Sequence, residues 1–533
     1  MITNAAELGS AGSPATAATV GQTTTMALSQ LVGRLIGVRE HVVDPGGRGA
    51  PRVPHPVPAV VVGGGIAGMS AAVVLAERGV PVTVLEAAPT VGGRLGAWPE
   101  ASPDGTRMNE HGFHAFFRQY YNWRNVLRRA DPTLGFLRRI PGYPVLSARW
   151  PTEEFGTLPP APPANLLALL LRSPSLRLGD LRAMNREAAL PLLSYDPIRT
   201  YAEFDDTTAD ALLTSLRLPD RARAMLFEVF SHSFFNHEAE MSAAEMIAQF
   251  HFYLLGNPEG LAFDSPGEDH ATAIWQPLTR HIERHGGRVV TGTAATAVHR
   301  DAAGWQVAST AGTYPARHVV LALDPPALAA LVADSPVLAE VAPDLVARMP
   351  AFGRPGPPYA VARYWCAGDV APGRAVFSGV SRQPTLDSVT LYHRLERESR
   401  RWAERTGGSV VELHAYACEP GVPAEELAGR MWTELTALWP EVGRLRICDL
   451  RARVAAQAPA FPPGGHAWRP GVRTDADRLY LAGDGIRTDF PSALMERSAA
   501  TGILAANHIL RAEGGATEPI HSVRPRGLLS RRG

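Results

Sequence analysis

Two hydrophobic periods alternate along this chain. From Ala59 an unbroken apolar run, "AVVV", meets a cluster of glycines. The Ala-rich stretch "IAGMSAAVVLAE" and the alternating "VTVLE" follow. Short apolar runs bounded by glycine read as buried strands and the longer run as a helix, which predicts strand–helix–strand over 59–85. Val and Thr dominate near 288–323 and predict further strands. Another strand is expected at Leu479–Ala482, followed by a helix from about Ser492 to Arg511. The stretches at 110–260 and 340–450 are richer in helical pattern and aromatics. Nearer the start, Leu28, Leu31, Val32, Leu35 and Ile36 recur at helical spacing beside Arg34 and Arg39, an amphipathic helix.

Composition narrows the chemistry. The chain has 533 residues and 45% apolar content, enough for a large core, and 52 cations balance 52 carboxylates, so no net field favours nucleic acid. Every cation is arginine. Without lysine, Schiff-base catalysis, pyridoxal phosphate attachment and a P-loop lysine are excluded. Cys366, Cys418 and Cys448 are far apart and read as thiols of a reducing compartment. The segment at 57–76 is uncharged over a membrane-spanning length, but its glycines fall at the offsets of a nucleotide-binding turn. No transmembrane helix and no secretory signal are expected. "HIERH" at 281–285 spaces two histidines one helical turn apart without an evident third ligand, so no metal is expected.

The glycines are Gly63-x-Gly65-x-x-Gly68 between the first strand and the helix. The first permits the tight turn, the second lets a pyrophosphate approach the backbone, and the third allows helix and strand to pack closely. Glu86 ends the second strand, about 20 residues on, where a carboxylate meets ribose hydroxyls. A second glycine turn follows at Gly92 and Gly93, with Arg94 able to pair with phosphate. This extended pattern resembles the FAD fingerprint of the flavin amine oxidase and phytoene desaturase superfamily. The resemblance recurs in "LYLAGDGIRTDFPSALMERSAATG", where Gly483, Asp484 and Met495 match the family's far flavin-binding segment. Ala295 stands where the family often sets a valine against the adenine. The resemblance implies an α/β fold, with a Rossmann-like FAD-binding domain of amine-oxidase (GR2) type and an inserted α+β substrate domain. In that division 57–108, 262–335 and 455–512 form the discontinuous FAD domain, and 109–261 with 336–454 form the substrate-binding, membrane-associating domain. Residues 1–56 are expected to be a flexible arm carrying the amphipathic helix, and 513–533 a flexible tail.

One block is unusually dense in polar aromatics. "NEHGFHAFFRQYYNWRNVLRRADP", from Asn109, resembles the segment after the FAD turn in carotenoid ring-modifying desaturases, most closely the β-carotene desaturase/methyltransferase group of φ- and χ-ring synthases. Linear ζ-carotene desaturases and carotene isomerases carry looser versions. Flavin amine oxidases generally use a lysine near the flavin, and non-enzymatic prenyl-protein escorts tend to lose the flavin site. The resemblance implies a β-ionone ring, as in β-carotene, made aromatic by loss of four hydrogens and a 1,2-methyl shift, with hydride passing to flavin N5 and oxygen or a quinone as final acceptor. Aromatic faces stabilise a neighbouring cation, which makes Phe113, Phe116, Phe117, Tyr120 and Tyr121 candidates for the ring pocket. His111, His114, Glu110 and Glu496 are candidate proton acceptors, and Arg118 a positioning group. Phe234, Phe235, Phe250, Phe252 and Tyr253 suit a wall along a polyene. So insoluble a substrate calls for a cytoplasmic protein attached peripherally to the membrane surface, through 26–39 or the leucine-rich segment with Arg172, Arg177 and Arg182.

Overall fold

The computed structural model describes residues 28–530. Five parallel strands form one sheet in the order Arg288–Val290, Val82–Leu85, Ala59–Val62, His318–Leu321, Leu479–Leu481. Val60 lies between Thr83 and Val319. All four residues of Ala59–Val62 are buried, which is why this strand reads as a continuous apolar run rather than an alternating one. Helix Ile66–Glu77 crosses to the next strand as the sequence predicts. It packs on the long helix Leu494–Ala512 so closely that a Cβ on Gly502 would lie 2.1 Å from the Ala67 carbonyl oxygen. Small residues at this crossing bring the two helices together above the glycine turn.

A second sheet has seven strands in the order Arg446–Ala455, Tyr359–Ala367, Gly408–Ala415, Ser388–Leu391, Phe377–Val380, Pro144–Leu146, Glu153–Glu154. Its pairs are antiparallel except Phe377–Val380 with Pro144–Leu146. A run of short helices follows in the chain from Ala164 to Phe250, and of these Ala243–Phe250 is buried along its whole length. The mixed α/β architecture agrees with the fold class read from the sequence.

Both flanking segments differ from expectation where they are described. His41–Asp44 pairs antiparallel with Ile520–Ser522, so neither the arm beyond residue 40 nor the segment after Glu513 is loose. The anchor is Glu518, buried against Arg78 at 2.5 Å and Arg129 at 2.7 Å, with its backbone N–H donating to the Asn507 side chain. Polar composition suggested a solvated tail, but these polar groups have partners distant in sequence. The remainder of the expected arm, 1–27, and the last three residues lie outside the described residues. The helix over 28–35 does form, with its leucines turned outward: Leu31 is 56% exposed and Leu35 80%. No helix among the described residues is long and apolar enough to cross a membrane.

Candidate functional site

The glycine turns form the floor of a cleft. Gly63 follows its strand at φ +103° and donates its N–H to the Leu85 carbonyl at 2.8 Å. Gly65 caps helix Ile66–Glu77 without a side-chain hydrogen bond, leaving the helix's first N–H groups for an anion. The second turn lies alongside the first, with Gly92 donating to the Gly64 carbonyl at 2.9 Å. Glu86 holds this corner by accepting from the Gly64 N–H at 2.7 Å and the Ala88 N–H at 2.8 Å. Across the cleft Arg94 meets Asp484 at 2.5 Å.

From this floor a cavity of about 560 Å³ runs to the second sheet. Gly63, Gly65, Glu86, Gly92, Gly93, Arg94, Gly483, Asp484 and Met495 line its near part, and His111, Phe113, His114, Phe117 and Tyr120 line the inner chamber. Gly68 lies behind the floor, where a Cβ would be 1.9 Å from the Gly63 carbonyl oxygen, consistent with a packing role. Ala295 does not line the cavity; it starts the strand Ala295–Asp301 and pairs with Ser309.

Several residues of the aromatic block face elsewhere. Phe116 and Phe117 are adjacent in a strand and point to opposite sides, so Phe117 faces the cavity while Phe116 packs toward His270. Tyr121 opens a helix on the side of Glu259 and Glu40. Arg118 pairs with Asp264 at 3.4 Å. Glu496 accepts from the N–H groups of Asn122 and Trp123, both at 3.0 Å. It therefore caps helix Tyr121–Leu127 from another element, and burial pushes its carboxyl up to about 8 despite these bonds. Glu110 meets Arg363 and His270 outside the cavity, with burial raising it to about 7. Phe234, Phe235 and Tyr253 line the chamber as expected, whereas Phe250 and Phe252 do not.

The chamber also contains residues that sequence reading missed. Tyr143, Phe263 and Phe377 come together with Phe113, the Phe113 and Phe377 rings stacking at 4.8 Å. His414 and Tyr416 enter from strand Gly408–Ala415 and the residue after it. No local signal marks them, because strand register in the seven-stranded sheet is what brings them to the cavity.

A Rossmann-like floor joined to an apolar chamber defines a class of enzyme. Residues 66–510 match the flavin containing amine oxidoreductase family, and the chain belongs to it. It is a flavin oxidoreductase whose cofactor is FAD. Within the family the chain is 43% identical to a carotenoid phi-ring synthase of Streptomyces griseus, over 89% of this chain and 92% of that one. A carotenoid phi-ring synthase of Chlorobaculum tepidum is 29% identical over 92% and 95%. Cyclohexylamine oxidase from Brevibacterium oxydans shares the fold, with a TM-score of 0.61 at 16% identity over 86% of this chain and 99% of that one. The floor fits such a cofactor. A Cβ built on Gly65 has no atom nearer than the Gly93 Cα at 4.0 Å, so space above the turn is left open.

Proposed function

We propose that this chain makes a carotenoid end ring aromatic, converting β-carotene to an isorenieratene-type product by desaturation with a 1,2-methyl shift. The observation that carries the reading is the continuous cavity from the glycine floor to an aromatic-lined chamber, in a chain strongly similar to a phi-ring synthase. Gly63, Gly65, Glu86, Gly92, Gly93, Arg94, Gly483, Asp484 and Met495 would hold the FAD. When bound, it supplies the two-electron hydride acceptor. The protein's own share is to orient the ring, exclude water and stabilise positive charge. Phe113, Phe377, Tyr143 and Phe117 present ring faces and edges suited to a carbocation, an effect of about 0.5–2 kcal/mol per contact. The chamber's apolar wall also excludes the water that would trap such a cation.

Expression in cells that accumulate β-carotene, with pigments read by mass spectrometry, tests this. The expected product has lost four hydrogens per modified ring at constant carbon count, and the purified chain is yellow. Unchanged β-carotene alongside conversion of phytoene or ζ-carotene would replace the reading with linear desaturation.

The substrate's route favours a membrane surface. Gly33 of the 28–35 helix sits against Ala161, so this helix adjoins Ala164–Arg172, whose Leu167 and Leu171 are 58% and 65% exposed. Leu28, Leu31 and Leu35 continue this apolar face, flanked by Arg34 and Arg172. Such a face suits insertion among acyl chains with arginines at the anionic headgroups. Liposomes containing anionic lipid are expected to co-sediment the chain, and Leu31→Asp with Leu35→Asp to release most of it. Equal sedimentation of the variant would remove this helix from the docking surface.

A further inference from the structure

Aromatising the ring takes away two hydrides and two protons, so the site must accept protons as well as stabilise cations. Three histidines line the cavity: His111, His114 and His414. Burial and then the Arg453 guanidinium push His111 down to about 3, and burial with His270 does the same to His114. Both are weak bases. His114 Nδ1 is moreover bonded to the Gly112 carbonyl at 2.8 Å.

His414 is placed differently. Its Nε2 lies 2.7 Å from Glu412 Oε1, and Glu412 Oε2 accepts from Arg363 Nε at 2.7 Å. Burial would raise the Glu412 carboxyl, but Arg363 and then His414 outweigh it and hold it at about 2, so it is a carboxylate. An ionised acceptor at Nε2 fixes the tautomer with the proton there and leaves the Nδ1 lone pair free. Nδ1 faces the Tyr416 hydroxyl at 3.2 Å, which Ser388 Oγ also meets at 3.2 Å. Glu412 further accepts the Phe113 N–H at 2.6 Å, tying this group to the aromatic wall. The close approach depends on Gly112, at φ +99°, where a Cβ would lie 2.8 Å from His414 Nε2. That contact gives the glycine of "HGFH" a physical reason.

We propose that Tyr416 and His414 are the proton acceptor for ring aromatisation, with Glu412 as the positioning residue behind them. This rests on the aromatisation reading above. After hydride loss to the flavin and methyl migration with its bonding pair, the cation sits beside a ring C–H. That bond breaks, its electron pair becomes the new C=C, and the proton goes to Tyr416 Oη. The tyrosine's own proton passes to His414 Nδ1, and the imidazolium is neutralised by Glu412 until the proton leaves to water. The positive charge thereby moves from ring to imidazole. Once an external acceptor, oxygen or a quinone, has reoxidised the cofactor, a second hydride loss followed by the same proton transfer, with no further methyl shift, completes the aromatic ring.

Other charged and titratable groups surround the relay. Arg363 bridges Glu412 to Glu110, and Glu110 meets His270. Asp387 accepts the Tyr416 N–H at 2.6 Å and meets His232 at 3.0 Å. His232 is raised to about 10, because Asp387 and Glu238 outweigh its burial, so it neutralises Asp387 and leaves Glu412 as the carboxylate facing His414.

The test compares flavin-loaded wild type, Tyr416→Phe, His414→Gln and Glu412→Gln on β-carotene across pH. Removing a general base is expected to cost about 100-fold or more in turnover. Tyr416→Phe and His414→Gln should show this loss with wild-type flavin content and with a pH–rate profile altered from that of wild type. In 15N-histidine spectra of the resting holoenzyme, Glu412→Gln should weaken the Nε2–H tautomer of His414. Turnover within about threefold of wild type, or an unchanged pH–rate profile in Tyr416→Phe, would overturn the relay while leaving aromatisation intact. A yellow wild type that leaves β-carotene unchanged would overturn the aromatisation reading and the relay with it. If His414→Gln fails to fold, Tyr416→Phe, which removes one oxygen, decides alone.

Discussion

Replacing Glu245 by alanine is expected to lower stability by about 3–5 kcal/mol, the cost of leaving buried charge uncompensated. Glu245 accepts from Arg497 Nη2 at 2.8 Å, Arg469 Nη1 at 2.9 Å and the Tyr201 hydroxyl at 2.6 Å, and all three charged side chains are almost fully buried. The guanidiniums stack toward Phe461 and donate to carbonyls of Asp484, Gly485 and Ser492. The triad therefore ties the buried helix Ala243–Phe250 to the segment bearing Asp484. Urea unfolding of the two proteins measures the loss, and Glu245→Gln, which keeps one acceptor oxygen, is expected to fall between them. Burial would raise this carboxyl, but Arg497 and then Arg469 outweigh it and hold it well below its ordinary 4.5. A carboxyl so depressed contributes in full above its unfolded pKa, and the contribution is lost as pH falls toward the folded one. The gap between wild type and Glu245→Ala is therefore expected to be constant near neutrality and to narrow on acidification below about pH 4.5. A gap that stays under about 1 kcal/mol at neutral pH would mean that water reaches both guanidiniums.

What could be read from the sequence was local. The strand–helix–strand at 59–85, the strand at 479 and the helix after 492 were legible because glycine punctuation and hydrophobic period lie within a single stretch. The floor residues carried their own motif. The chamber was legible only in part. Phe113, Phe117 and Tyr120 were found from a dense block, but Phe116 belongs to the opposite face of its strand and Tyr121 to a helix start. Glu496 looked like a proton acceptor, but it caps a helix more than 370 residues earlier in the chain, a pairing no periodicity encodes. His414 and Tyr416 look ordinary in "VVELHAYACEP", and only pairing such as Val361 opposite His414 brings them to the cavity. The tail was misjudged for the same reason, since Glu518 is anchored by arginines 440 and 389 residues away.

Alanine at Gly65 should separate cofactor binding from folding. Gly65 has φ −78° and ψ −173°, ordinary extended backbone, and its added Cβ would touch nothing closer than 4.0 Å. The flavin-free chain is therefore expected to keep wild-type stability within about 0.5 kcal/mol. If the pyrophosphate lies over this turn, the methyl occupies its space, and the purified variant should be nearly colourless with most of its FAD lost. Gly63→Ala fails for a different reason. At φ +103° its Cβ would lie 2.3 Å from the Ala322 carbonyl oxygen, which is fixed by the neighbouring strand, so cofactor and stability are lost together. Gly105→Ala controls for strain alone: φ is +126° but nothing lies within 4 Å, so the cost is about 1–2 kcal/mol with the flavin retained. Flavin absorbance per protein and urea midpoints of the flavin-free forms read all three variants. A Gly65→Ala protein as yellow as wild type would mean that the cofactor does not approach the backbone at this turn, and the floor assignment would fall with it.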